Sequence, residues 1–204
     1  MTPQAQSSDR RRARTERIQF LRGFLKRPKQ VGSIIPSSRF LERRVVRAAG
    51  AEGVRCAVEL GPGTGGTTRA LLRALPPEAL LLAIEINPRF AGLLRAIPDP
   101  RLVVHEGSAA EIEDALRAHD LPAPDLVVSG IPFSTMPRRL GTAILRSAHE
   151  SLAPGGRFVA YQVRDRVETL GREVFGPAAV QRELLNVPPM RVYRWDKPAA
   201  APAA

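Results

Sequence analysis

Two carboxylates at the ends of apolar runs mark where chemistry would sit in this chain. Glu59 follows Ala57-Val58 and leads through Leu60 into Gly61-Pro62-Gly63-Thr64-Gly65-Gly66, and Glu85 closes the run Leu80-Leu81-Leu82-Ala83-Ile84. Glycines after a strand let the backbone approach a ligand, and a helix starting behind them offers unpaired N–H groups. A carboxylate ending the next strand is placed to accept hydrogen bonds from ribose hydroxyls. Gly61, Gly63 and Gly66 also satisfy the G-x-G-x-x-G spacing of a dinucleotide site, so the glycines alone do not choose the ligand. Glu59 does. Beside an anionic pyrophosphate it would repel, whereas the ammonium and sulfonium of S-adenosylmethionine attract it. A third strand end, Asp125-Leu126-Val127-Val128-Ser129-Gly130-Ile131-Pro132-Phe133, brings a glycine and a proline to the edge where ligands gather in open sheets.

These residues need a scaffold, and the hydrophobic pattern supplies one. Helical spacing over 39–49 is followed by strands at 55–60, 80–86, 101–106, 125–129 and 157–163, alternating with helices at about 66–75, 88–96, 110–118 and 138–152. Such alternation specifies an α/β fold with a mostly parallel sheet covered on both faces. Two further runs, 180–187 and 190–195, joined through Pro188-Pro189, read as an antiparallel C-terminal hairpin, completing seven strands. The expected organisation is a basic, disordered segment 1–14, helices over 15–50, a catalytic domain over 51–196 and a disordered tail 197–204.

Charge is placed unevenly. The chain carries a net charge of +11, and residues 1–50 hold thirteen Lys and Arg against three acidic residues, so the body is nearly neutral. A basic arm implies a polyanionic partner. Over 15–27 the pattern is helical until Pro28, with Ile18, Phe20, Leu21, Phe24 and Leu25 on one arc and Arg22, Lys26 and Arg27 off it. Nucleic acid needs no segregated apolar face, while an anionic membrane surface uses both faces. The partner expected is therefore lipid rather than nucleic acid, with reversible attachment to the inner face of the cell membrane. The competing structural reading packs the apolar arc on the chain's own core.

At this point the residues carry a resemblance. Pro28-Lys29-Gln30-Val31-Gly32-Ser33-Ile34-Ile35-Pro36-Ser37-Ser38, Glu59 to Gly65, Glu85-Ile86-Asn87-Pro88 and Ser129-Gly130-Ile131-Pro132 together resemble the bacterial, S-adenosylmethionine-dependent phospholipid N-methyltransferases. These are related in turn to the rRNA adenine dimethylases. The resemblance implies a class I methyltransferase, Rossmann-like fold. It implies that Gly61, Gly63, Thr64 and Gly65 line the cofactor, that Glu59 lies near its methionine end, and that Glu85 holds the ribose. Ile86 would pack on adenine, with Ser108, Ala109 and Ser129 completing that side. Family members carry Gly-Asp-Ala where this chain has Gly107-Ser108-Ala109, which removes a carboxylate from the adenine amino group. Pro36, Ser37 and Ser38 would cover the site, and Ile131 and Pro132 would border the acceptor pocket. The activity implied is methylation of phosphatidylethanolamine, and of its mono- and dimethyl forms, toward phosphatidylcholine. The alternatives are another aminolipid such as an ornithine lipid, or an rRNA adenine; the last would want Asn at position 129 and has only Phe133 for stacking.

Methyl transfer needs little beyond holding a neutral amine in line, so the candidate catalytic groups are positioning hydroxyls: Tyr161, Ser37 and Ser38. Tyr161 also reads as an ordinary half-buried strand residue beside Phe158. His105, His119 and His149 stand at no telling spacing from a nucleophile or carboxylate, and no metal-ligand spacing is present. The lone Cys56 lies inside a strand and excludes an internal disulfide.

Overall fold

The computed structural model describes residues 38–200. Helix α1 (Arg39–Ala49) leads into the alternation β1 (Cys56–Leu60), α2 (Gly66–Ala74), β2 (Leu80–Glu85), α3 (Pro88–Arg95), β3 (Leu102–Glu106), α4 (Ile112–Ala118) and β4 (Leu126–Ser129). A single 3-10 turn (Phe133–Thr135), α5 (Arg138–Ser151), β5 (Arg157–Gln162), α6 (Arg166–Phe175), β6 (Ala179–Glu183) and β7 (Met190–Asp196) complete it. The seven strands form one sheet in the order β3-β2-β1-β4-β5-β7-β6. The first five are parallel, and β7 runs antiparallel to both β5 and β6. The expected fold class is thus observed, and all five parallel strands and the helices through α5 fall within a residue or two of their expected bounds.

Strand alternation divides the core. In β1, Cys56, Val58 and Leu60 pack with α4, α5, α6, Phe158 and Trp195, while Ala57 packs on the other face with Leu41, Val45 and Leu71 of α1 and α2. Glu59 and Tyr161 share this second face, the face of α1 and α2; Gln162 points to the first.

Two local features differ from the sequence expectation. Residues 166–175 form α6, whose Val167 and Leu170 are buried. Gly171 sits mid-helix because Trp195 lies against it: a Cβ there would meet the indole at 2.6 Å. A glycine at that point weakens the helical signal in sequence while serving close packing. The first hairpin strand ends at Glu183, not Val187, so the connection is the six-residue loop 184–189 rather than two prolines. Buried polar side chains take over there, with Glu183 accepting the Leu185 N–H at 2.9 Å and Asn186 donating to the Pro188 carbonyl at 2.9 Å.

Candidate active site

The three sequence-marked strand ends converge at the carboxyl edge of the sheet. Gly61, with φ +67°, and Gly63, with φ +59°, adopt left-handed backbone that an L side chain strains to reach. Main-chain bonds pin the turn between its neighbours: Gly61 N–H donates to Ile84 O, and Gly130 N–H to Leu60 O, both at 3.0 Å. Glu85 closes the turn from the β2 side. Its Oε2 accepts the Gly63 N–H at 3.0 Å and its Oε1 the Asn87 N–H at 2.9 Å. Asn87 in turn caps α3 by accepting from Arg89 N–H, with Pro88 in the first turn, which explains the abrupt helix start after Glu85.

Glu59 is fully buried, and Thr68 of α2 donates a hydroxyl bond of 2.6 Å to its Oε2. Among the described residues its Oε1 has no hydrogen-bond partner. Burial is the main cause that pushes this carboxyl up to about 7; the Thr68 bond pulls it down and the nearby Glu85 charge pushes it up again. Burial also raises the Glu85 carboxyl, against the lowering effect of its backbone donors. A buried carboxylate with one oxygen unengaged and no counter-charge among the described residues suits a cation. The residues present therefore fit the ammonium and sulfonium of S-adenosylmethionine, and Gly63, where an added Cβ would meet nothing within 4 Å, leaves open space over the turn.

On the other side of the turn, the Tyr161 hydroxyl lies 3.2 Å from the Thr67 hydroxyl. It also lies so close to Gly130 that a Cβ there would meet Tyr161 Oη at 2.3 Å. Ile131 packs on Gly61, where a Cβ would meet its Cγ1 at 2.8 Å. The carboxamide of buried Gln162 holds the segment after β4 from both sides, donating to Ile131 O at 2.6 Å and accepting from Phe133 N–H at 3.2 Å. Tyr161, Gly130, Ile131 and the glycine turn are thus brought together.

The remaining candidates are distributed around this centre. Thr64 is exposed on the turn and Gly65 precedes α2. Ile86 and Pro132 are half-buried, Ser108 and Ala109 are buried after β3, and Ser108 Oγ accepts the Ala110 N–H at 3.2 Å. Ser129 is buried at the end of β4 with its hydroxyl 3.4 Å from the Ile131 N–H. Ser38 is the N-cap of α1, its hydroxyl accepting the Leu41 N–H and its own N–H donating to Asn186 Oδ1. Pro36, Ser37 and the segment containing Ile18, Phe20, Leu21, Arg22, Phe24, Leu25, Lys26 and Arg27 lie outside the described residues. Among the described residues, no His, Cys, Asp and Glu grouping is suited to a metal ion, and no helix is long and apolar enough to cross a membrane.

Sequence reasoning missed Thr67, Thr68 and Gln162. Each had a signal: two hydroxyl residues directly after Gly66, in the first turn of a helix, and a polar residue closing an apolar strand.

No protein-family model matches the sequence. The chain is 32% identical over 177 residues to an ornithine lipid N-methyltransferase of Singulisphaera acidiphila, covering 85% of this chain and 92% of that protein. The chain belongs to this N-methyltransferase family. Solved structures agree on its fold. A precorrin-6y C5,15-methyltransferase of Geobacter metallireducens superposes with a TM-score of 0.65 at 17% identity, over 81% of this chain and 92% of that one. The N-methyltransferase NodS of Bradyrhizobium japonicum, in complex with S-adenosyl-L-homocysteine, does so with a TM-score of 0.61 at 18% identity, over 78% and 88%. The methyltransferase described here shares their Rossmann-like fold.

Proposed function

We propose that this methyltransferase transfers a methyl group from S-adenosylmethionine to the amine of an aminolipid, with an ornithine lipid as the acceptor. The observation that carries the reading is the buried Glu59 carboxylate, unpaired at Oε1 among the described residues, beside the glycine turn and Glu85. The acceptor class rests on the ornithine lipid N-methyltransferase relative, which supports that lipid over the phosphatidylethanolamine expected from sequence.

When bound, S-adenosylmethionine supplies an activated methyl group and needs no metal to do so. Glu59 Oε1 would meet its cationic end and Glu85 its ribose hydroxyls, using the lone pairs that the Gly63 and Asn87 N–H groups leave free. Ile131 and Pro132 would border the acceptor, with Gln162 fixing their backbone. An aminolipid reaches the site as an ammonium ion and must lose a proton before its lone pair is usable. The Tyr161 hydroxyl, oriented by Thr67, would hold the nitrogen, and Ser38 stands as a second hydroxyl candidate. Ser129, buried at the end of β4, supplies no Asn-type amide for an adenine. The basic segment 15–27 is proposed to bring the enzyme reversibly to an anionic membrane, on the cytoplasmic side.

The test is direct. Purified protein is incubated with methyl-labelled S-adenosylmethionine and, separately, with an ornithine lipid, phosphatidylethanolamine and unmodified rRNA. Label is expected in the ornithine lipid. Label in phosphatidylethanolamine alone would move the acceptor back to the phospholipid, and label in rRNA alone would overturn the lipid reading.

A further inference from the structure

The loop between β6 and β7 has its polarity turned inside out. Glu183 and Asn186 are buried, each 4% exposed, whereas Leu184, Leu185 and Val187 are 71%, 64% and 81% exposed. Three of the six large apolar side chains exposed among the described residues are concentrated here. The inward polar groups are fully engaged. Glu183 Oε2 accepts from Arg44 Nε at 2.7 Å while its Oε1 takes the Leu185 N–H, and the Asn186 carboxamide ties the Ser38 N–H to the Pro188 carbonyl. A polar scaffold therefore holds three apolar side chains out in water, a cost that folding alone does not require.

Charge around the loop fits a specific partner. Arg182 and Arg191 stand directly opposite each other across β6 and β7, one pair before the loop. Like charges facing across strands destabilise a sheet. Among the described residues neither arginine has a salt bridge, and Arg39 follows the loop-tethered Ser38. Location fits as well. Gln162 at the carboxyl end of β5 pairs with Arg191 at the start of β7, so the loop leaves the same sheet edge that carries Glu59, Glu85 and Tyr161.

We propose that the 184–187 loop is a membrane-docking element that inserts Leu184, Leu185 and Val187 into the surface of an anionic bilayer, setting the active-site edge against the lipid. An apolar tip flanked by arginines matches the boundary between acyl chains and anionic headgroups. Protein-interface hot spots are enriched in Trp, Tyr and Arg with Leu and Val under-represented, and this tip presents Leu and Val with no aromatic ring. The assignment rests on the aminolipid reading for its purpose, but its test does not use methyl transfer.

Cys56 is the only cysteine, it is buried, and burial pushes its thiol up to about 11, so a new surface cysteine is labelled selectively. An environment-sensitive fluorophore on Val187→Cys in the full chain is titrated with vesicles of phosphatidylglycerol and phosphatidylcholine, or of phosphatidylcholine alone. Glu78→Cys, exposed just before β2 at the opposite edge, is the control. The expected result is a blue shift and protection from an aqueous quencher at position 187, only with anionic vesicles, and neither at position 78. Leu184→Ser/Leu185→Ser in the labelled protein should raise the lipid needed for the half-maximal shift at least fivefold with an unchanged Tm. A probe silent on anionic vesicles, responding equally to phosphatidylcholine, or already shielded without vesicles because another part of the chain covers it, overturns the proposal. Failure of the enzymatic reading looks different: the probe inserts, yet no aminolipid acquires label.

Discussion

With Glu59 in its proposed place against the donor's cationic end, donor binding should release a proton. Burial holds its carboxyl at about 7, so in the free protein at pH 6 the group is mostly protonated. A cation placed against Oε1 stabilises the charged form, and full compensation returns the group to its ordinary value of 4.5. Linkage then makes the apparent Kd about twentyfold weaker at pH 5.5 than at pH 7.5, with about 0.9 proton released per donor bound at pH 6. Calorimetry at pH 6 in two buffers of different ionisation enthalpy reads those protons directly. Glu59→Gln keeps the volume and the acceptor for Thr68 but cannot ionise. It should remove most of the pH dependence and the proton release, and weaken the donor by at least about tenfold. The same variant should stabilise the ligand-free fold. Because the folded pKa lies above the unfolded one, the wild type has its full stability below about pH 4.5 and loses about 3 kcal/mol as pH rises to 7, remaining level beyond. Glu59→Gln escapes that loss and should gain about 1–3 kcal/mol at pH 8 in chemical denaturation. Binding that is independent of pH and silent in proton release, together with a destabilised Gln variant, would refute the reasoning.

Other outcomes follow from the geometry. Glu85→Ala frees the Gly63 and Asn87 N–H groups and removes the ribose acceptor, so donor affinity by calorimetry should fall more than about tenfold, about 1.5–3 kcal/mol for charge-assisted bonds. Gly130→Ala forces a Cβ onto the Tyr161 hydroxyl and should cost about 1–3 kcal/mol of stability by overpacking, with kcat lowered in the surviving protein. Gln162→Leu leaves Ile131 O and Phe133 N–H without their partner in a closed site. Stability should drop by about 2–4 kcal/mol, and KM for the lipid should rise more than the Kd of the donor. Tyr161→Phe should lower kcat about tenfold while leaving donor affinity within about twofold, since the hydroxyl is assigned to the acceptor.

The parallel part of the sheet was legible because its four inner strands are largely apolar runs buried on both faces, while β3, at the edge and only half-buried, still shows Leu102-Val103-Val104. The glycine turn and its two carboxylates were legible for the same reason, since a charge at the end of such a run has few structural explanations. What escaped depends on contacts between distant residues. Gly171 makes α6 look like a poor helix until Trp195 is seen against it, and Glu183 and Asn186 end β6 early through partners at Arg44 and Ser38. Thr68 lies in the first turn of a helix, and only the fold shows it donating to Glu59. The strand order likewise came only from the structure, because no local pattern states which parallel strand lies beside which.

At the seam between Gly61 and the β4 end, both glycines make room for a side chain: that of Ile131 lies on Gly61, and the Tyr161 hydroxyl lies against Gly130 beside the Gly61 carbonyl. Neither glycine can gain a side chain without displacing one of these groups, so the spacing across the seam is held from both sides. On the proposed function, a bulkier or smaller headgroup would have to be accommodated away from this seam, which would serve as a fixed gauge between methyl donor and acceptor.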